Sequence, residues 1–336
     1  MSNLAIGIVG LPNVGKSTLF QALTNKQVKI ANYPFATIDP NVGVVEVADD
    51  RLFKLAEFSK SKKIVPAIVE FYDIAGLVKN AHTGEGLGNQ FLAQIREVKL
   101  ILHLVRCFKD SQIVHIAGEI NPLRDIEVII SELIFKDLET IDKVYNRLVR
   151  EAKTNDKQKI KDLEIVSKAK EVLDKGELLI NYQELVKEEI ISSLQLLTSK
   201  PQFFILNGKE QDVSVEVIEK IKSLNCDYLI LDLSQKVDLD LMIKKSYEYL
   251  GLISFFTTGE DETRAWTIKK GTRAKEAAGV IHSDFEKKFI KAEVINWEKL
   301  LELGSWQNAK AKGLIRSEGK DYMINDGDVI EIKHGA

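Results

Sequence analysis

Apolar residues along this chain follow two rhythms. Five runs, at residues 4–9, 68–72, 100–105, 203–206 and 228–231, are apolar throughout but for Glu70 and His103, rather than alternating. Strands covered on both faces of a parallel sheet have that character. Helix-like stretches separate them, so the pattern predicts a doubly wound α/β domain. The interval between the third and fourth runs is too long for one crossover. Within it Ile134, Leu138, Ile141, Tyr145 and Leu148 recur at alternating spacings of four and three, the seam of a coiled coil. Leu163, Val166, Ala169 and Leu173 form a second series beyond the polar stretch 154–159. Two antiparallel helices joined near 152–160 are expected, inserted into the α/β domain over 123–199.

After Gly251 the rhythm shortens. Strand-like pieces at 253–257, 265–268, 290–294 and 329–332 surround a helix-like run at 273–280, and Asn325-Asp326-Gly327-Asp328 is a hairpin signal. The expected organisation is a nucleotide-binding domain over 1–122 and 200–250, the helical hairpin over 123–199, and a small α+β domain over 251–336.

Composition changes this picture little. The 336 residues are 45% hydrophobic and 29% charged, with a net charge of −3, which excludes a globally basic nucleic-acid coat. The cysteines, Cys107 and Cys226, form no C-x-x-C, so neither a disulfide framework nor a zinc site is expected. His282 and Asp284 are too few for a metal centre. No signal peptide or membrane-length apolar run is present, which points to a cytosolic soluble protein with reduced thiols; a monomer is expected. One local charge excess stands out at the hairpin tip. There Arg147, Arg150, Lys153, Lys157, Lys159 and Lys161 face only Glu151 and Asp156. Solvated surface is the ordinary reading of such a run, and an anionic partner the alternative.

Chemistry concentrates in Gly10-Leu11-Pro12-Asn13-Val14-Gly15-Lys16-Ser17, a match to G-x-x-x-x-G-K-[ST] placed between an apolar strand and a helix-like run. The backbone of Asn13, Val14, Gly15, Lys16, Ser17 and Thr18 would wrap nucleotide phosphates at a helix N-terminus. Lys16 would reach the β- and γ-phosphates, and Ser17 would ligate Mg²⁺. Asp73-Ile74-Ala75-Gly76 follows the second strand, where Asp73 can hold the metal through water and the Gly76 N–H can sense the γ-phosphate. Thr37 is placed as the threonine completing the metal shell, and Gly84, Gly86 and Gly88 supply hinge freedom. Leu77 stands where Ras-like enzymes carry a water-orienting Gln, so hydrolysis should be slow or assisted. Asn13 is a candidate ligand for an assisting K⁺.

Guanine switches end their fourth strand with N-K-x-D. Here the run 203–206 ends in Asn207-Gly208-Lys209-Glu210. Gly208 cannot cover a base as a lysine stem does, and Glu210 is a methylene too long for the guanine edge, so ATP is expected to be preferred over GTP.

Together these residues resemble the Obg-like ATPases, the YchF group, over nearly the whole chain. The most specific stretches are 7–19, 32–41, 73–78 and 84–89, with Arg264-Ala265-Trp266-Thr267 and Gly319-Lys320-Asp321-Tyr322. The resemblance implies a G domain, an inserted helical hairpin and a C-terminal TGS domain of β-grasp type. It also implies ATP preference, an N-x-x-E base motif, absence of the catalytic Gln, and a ribosome-associated role in translation and stress responses. By resemblance His115 assists hydrolysis. The segments after Glu210 and at 233–236 are shorter and more polar than is usual for the group. Competing readings are a GTPase of the wider Obg class, a small-molecule kinase, and a nucleotide-binding scaffold without turnover.

Overall fold

The computed structural model describes residues 4–26, 41–74, 95–109, 119–154, 156–235 and 237–335. They divide into two compact units, one made of the described residues within 4–25, 41–43 and 70–238, the other of residue 26 and those within 44–69 and 239–335.

The first sheet runs β2-β4-β1-β5-β6-β7, with β1 Ala5–Val9, β2 Val42–Glu46, β4 Ile68–Asp73, β5 Leu100–Arg106, β6 Gln202–Asn207 and β7 Asp227–Leu231. Strand β1 pairs in parallel with β4 and β5, and β5–β6 and β6–β7 are also parallel. All five apolar runs are strands, and β1, β5 and β6 are buried along their whole length. Strand β7 departs from expectation in being only half-buried, because it closes one edge of the sheet. Strand β2 was not foreseen: Gly43 interrupts its short Val-Gly-Val-Val-Glu run. Register sets Asp73 beside Ile8, and Asn207 beside Arg106. The carboxyl ends of β4, β1, β5 and β6 therefore share one edge, where ligands bind in open α/β sheets.

The hairpin forms as the seam predicts. Helix α1 is Lys16–Thr24 and α2 is Asp50–Ser59; the hairpin pairs α3, Pro122–Glu151, with α4, Lys157–Asp174. Asn121 and Asp156 cap α3 and α4 through their side chains, and Pro122 occupies the first helical position of α3. Ile134, Ile141 and Leu148 are buried against Val166, Ala169 and Leu173, with Leu138, Tyr145 and Leu163 partly buried beside them. Asp137, fully buried on α3, accepts hydrogen bonds from the N–H groups of Leu197 and Thr198 and from the Thr198 hydroxyl, at 2.9, 2.7 and 2.6 Å. The base of the hairpin is thereby tied to the segment that leads into β6.

The second unit holds a six-stranded mixed sheet in the order β11-β10-β12-β8-β9-β3. Its members are β3 Lys63–Val65, β8 Leu252–Thr258, β9 Glu262–Lys269, β10 Phe289–Asn296, β11 Arg316–Glu318 and β12 Asp328–His334. A helix at Ala274–Ile281 covers it through Ala274 and Ala277, as the helix-like run foretold. Two features differ from expectation. Strand β3 pairs with β9 from Lys63–Glu262 to Val65–Arg264, so part of the span assigned to the nucleotide-binding domain is built into the C-terminal sheet. No apolar pattern in a short strand says which sheet it will join. The Asn325–Asp328 turn forms, with Gly327 at φ +87°, but it joins no pair of adjacent strands. Met323, just before it, bridges to Arg273, while β12 pairs with β10 and β8. The Asp326 carboxylate accepts from the Ser254 N–H and binds Arg51 of α2, and Asp328 accepts from the Tyr322 hydroxyl and the Asn325 N–H. These side chains fix the turn without a hairpin partner. Among the described residues no helix is long and apolar enough to cross a membrane.

Candidate phosphate and base site

Where β1 ends, the chain crosses β5 at close range: a Cβ on Gly10 would lie 2.5 Å from the Leu104 carbonyl oxygen. Asn13 at φ +63° and Gly15 at φ +105° then bend the loop around buried Val14. Gly15 caps α1 with no side chain, so the first N–H groups of that helix have no side-chain acceptor and can receive an anion. Ser17 and Thr18 are exposed on this first turn.

Lys16 is buried and folds back over its own loop, its Nζ donating to the carbonyls of Gly10 at 2.9 Å and Leu11 at 2.6 Å. Burial lowers its pKa from 10.5 to about 8, with the Asp73 carboxylate acting in the opposite sense. An arriving phosphate would replace two carbonyl dipoles with full negative charge. Asp73 closes β4 next to β1, and its N–H donates to the Asn41 carbonyl. Lys16 and Asp73 are thus electrostatic neighbours at one sheet edge, as their motifs required.

At the end of β6 the base-motif residues separate. Asn207 is buried, its Nδ2 donating to the Val14 carbonyl at 2.8 Å and its Oδ1 accepting from the Leu233 N–H at 3.1 Å. The amide retains one hydrogen and one lone pair. Nothing in the spacing links position 207 to position 14, and this tie to the phosphate loop is the role that motif reading missed. Gly15 must be bare here as well, since a Cβ would sit 2.6 Å from that Nδ2. The Asn207 carbonyl accepts from the N–H groups of Cys107 and Phe108, and the Gly208 N–H donates to Leu231, which locks the loop onto β5 and β7. At Gly208, φ is +157° and a Cβ would meet the Phe108 nitrogen at 3.1 Å. Glu210 opens a short 3-10 turn and is exposed, and Asp212 accepts from the Lys209 N–H at 2.9 Å. Thr37, Gly76, Leu77, His115, Lys236 and the glycines at 84, 86 and 88 lie outside the described residues.

With this geometry in place, known proteins can be compared. Residues 5–147 match a family model described as a 50S ribosome-binding GTPase, and residues 252–335 match the YchF-GTPase C-terminal model, described as a protein of unknown function (DUF933). The "Ribosome-binding ATPase YchF" of Bacillus subtilis (strain 168) is 45% identical, covering 98% of this chain and 99% of its own length. The protein of that name from Mycoplasma genitalium is 46% identical over 98% and 99%, and that from Escherichia coli O157:H7 is 42% identical over 96% and 97%. A solved structure, titled as that of the Schizosaccharomyces pombe YchF GTPase, superposes with a TM-score of 0.81 at 36% identity, covering 99% of this chain and 98% of that one. By full-length identity, fold and both family models, this chain belongs to the YchF family of P-loop proteins.

Proposed function

We propose that this chain binds Mg-ATP at the loop 10–18, hydrolyses it slowly, and uses the bound nucleotide to control association with the ribosome. What supports this is the 42–46% identity over nearly the whole chain to proteins named as ribosome-binding ATPases, joined to a complete phosphate loop. The solved relative is titled a GTPase, so the choice of base is argued from this chain's own residues. Bare Gly208 and exposed Glu210 offer neither the cover nor the short carboxylate that a guanine lock needs.

In this reading Lys16 gives up the Gly10 and Leu11 carbonyls for the β- and γ-phosphates, and the N–H groups at the start of α1 hold the remaining phosphate oxygens. The exposed Ser17 hydroxyl and the Asp73 carboxylate are hard oxygen donors at the same sheet edge, a donor set suited to Mg²⁺, and Thr37 completes it. The ion supplies neutralisation of phosphate charge when bound. Asn207 positions the loop and takes the base together with Glu210, Gly76 reports the γ-phosphate, and His115 assists the attacking water. With Leu77 in place of Gln, turnover is slow in the free protein, and K⁺ held by Asn13 assists it. The protein works as a monomer in the cytosol, in translation or the stress response.

The test is a pair of dissociation constants, for Mg-ATP and Mg-GTP, with turnover measured with and without ribosomes and in potassium against sodium. Tighter ATP binding with ribosome-dependent turnover is expected. Tighter GTP binding would return the chain to the GTPase class, and absence of turnover under all conditions would leave a scaffold.

A further inference from the structure

We propose that Arg106 is a positioning residue for base recognition, setting the loop 207–210 through Phe108. The proposal deepens the nucleotide reading above and rests on its assignment of that loop to the base.

Arg106 closes β5 at the carboxyl edge of the sheet, opposite Asn207 of β6. Alternation along the strand puts it on the face of Leu102 and Leu104, away from Val105, which packs into the hairpin core. Leu102 and Leu104 are 0% and 1% exposed, and Arg106 stands next in that row at 0%. A guanidinium keeps its charge and loses its hydration when buried, so an apolar side chain would fill this position at lower cost. The charge is explained by what it holds.

It holds Phe108. The Arg106 Nε donates to the Phe108 carbonyl at 3.3 Å, and the guanidinium carbon lies 4.5 Å from the centre of the Phe108 ring. The main chain and the side chain of one residue are thus gripped together, by a hydrogen bond and a cation–π contact. Phe108 in turn meets the base loop through its backbone. Its N–H and that of Cys107 converge on the Asn207 carbonyl, at 3.2 and 2.8 Å. Its nitrogen also lies 3.1 Å from where a Cβ on Gly208 would stand. On the other side the Gly208 N–H donates to the Leu231 carbonyl at 3.1 Å. The loop therefore sits between a backbone bond to β7 and the residue that Arg106 grips.

The phosphate loop is held by a different tie, the Asn207 side chain on the Val14 carbonyl, and Asn207 itself is fixed by its register with Leu231. Loosening Phe108 frees Gly208 and Glu210 before it disturbs residues 10–18. Arg106 accordingly acts on the base and not on the phosphates.

The experiment measures dissociation constants of the full chain for Mg-ATP, Mg-GTP and magnesium tripolyphosphate, which has phosphates and no base. Arg106→Met keeps the length of the side chain and removes the donor and the planar face. ATP affinity should fall by about tenfold to hundredfold, the cost of a lost hydrogen bond from a charged group, and the preference for ATP over GTP should shrink with it. Tripolyphosphate should bind the variant as it binds wild type. Arg106→Lys restores a donor without the plane and should recover part of the loss. A merely structural role would lower the melting temperature and weaken all three ligands alike, and that pattern overturns the proposal. An unchanged advantage of ATP over tripolyphosphate in Arg106→Met overturns it too, and leaves the base-site reading standing. Wild type that binds ATP no more tightly than tripolyphosphate sinks the base-site reading, and the proposal with it. Should Arg106→Met fail to fold, Phe108→Leu removes the ring beneath the guanidinium and keeps the carbonyl. It should show the same selective loss at smaller size, and an unchanged ratio of ATP to tripolyphosphate affinity there is then the overturning result.

Discussion

The side chain of Asn207 holds the carbonyl of Val14. Its Nδ2 donates across 2.8 Å from the end of β6 to the middle of the phosphate loop, and its Oδ1 receives the Leu233 N–H. A residue identified from the base motif is therefore also a strut of the phosphate site. Asn207→Asp places an acceptor against the Val14 oxygen, whereas Asn207→Ala removes the contact. Both should weaken ATP binding, by about tenfold to hundredfold for a lost buried hydrogen bond, and Asp should be the worse despite its shape. Nucleotide titration with melting curves checks this. Equal effects of the two variants would confine Asn207 to the base.

Lys16 makes binding depend on pH. The free lysine ionises near pH 8 and must be charged to hold phosphate, so above that pH ATP binding takes up a proton. Affinity should fall by up to about tenfold per pH unit above 8, with no such slope between pH 6 and 7.5. In the free protein the sign reverses for stability. The unfolded lysine, with its pKa of 10.5, binds its proton more tightly than the folded one with a pKa of about 8, so stability should rise with pH between those values. Calorimetry in buffers of different ionisation enthalpy reads the proton uptake directly.

Gly208 should resist conversion to a guanine-binding loop. Lysine at this position meets the Phe108 nitrogen, the Cys107 Cβ and the Asp212 carboxylate, all within 3.3 Å of the new Cβ, on a backbone at φ +157°. Gly208→Lys with Glu210→Asp restores the N-K-x-D letters. The double variant should nonetheless lose nucleotide affinity overall instead of gaining GTP. Relative dissociation constants for the two nucleotides decide the matter.

His103 gives the protein an acid limit. It is fully buried in β5, stacked on Phe204 at 4.5 Å, with its Nε2 bonded to Gln202, and burial lowers its pKa from 6.5 to about 4. The unfolded histidine takes up a proton first as pH falls, so stability is lost between about 6.5 and 4, by about 3 kcal/mol in full. His103 Nδ1 and Gln202 Nε2 have no hydrogen-bond partner. Replacing both residues by leucine should flatten the acid limb without loss at neutral pH, because two unpaired polar atoms leave the core with their bond. Urea midpoints at pH 7 and pH 5 test it.

Much of this was legible in the chain. The buried parallel strands announce themselves by continuous apolar runs, since both faces are covered, and the hairpin by its seam, since two helices share one stripe. The phosphate loop is legible because its letters form a fixed motif and Gly15 answers a local constraint, the left-handed turn into α1. Ties between distant positions were not. The bond from Asn207 to Val14 depends on two loops meeting after the sheet is built, and the pairing of β3 with β9 on which neighbour is nearest. Neither leaves a periodicity. The Asn325–Asp328 turn misled for a related reason: its geometry is local, whereas the partner of the strand after it is not.

The pairing of Lys63 with Glu262 also has a bearing on how the protein is born. At synthesis rates of about 5–20 residues per second, β3 leaves the ribosome on the order of 10–40 s before the strand it joins. In that interval α2 and β3 are complete but have no sheet to enter. The C-terminal unit can close only when translation is nearly over, and then around a segment made near the start. A nascent chain stalled in between would carry an unclaimed edge strand, open to chaperones or to another copy stalled at the same place.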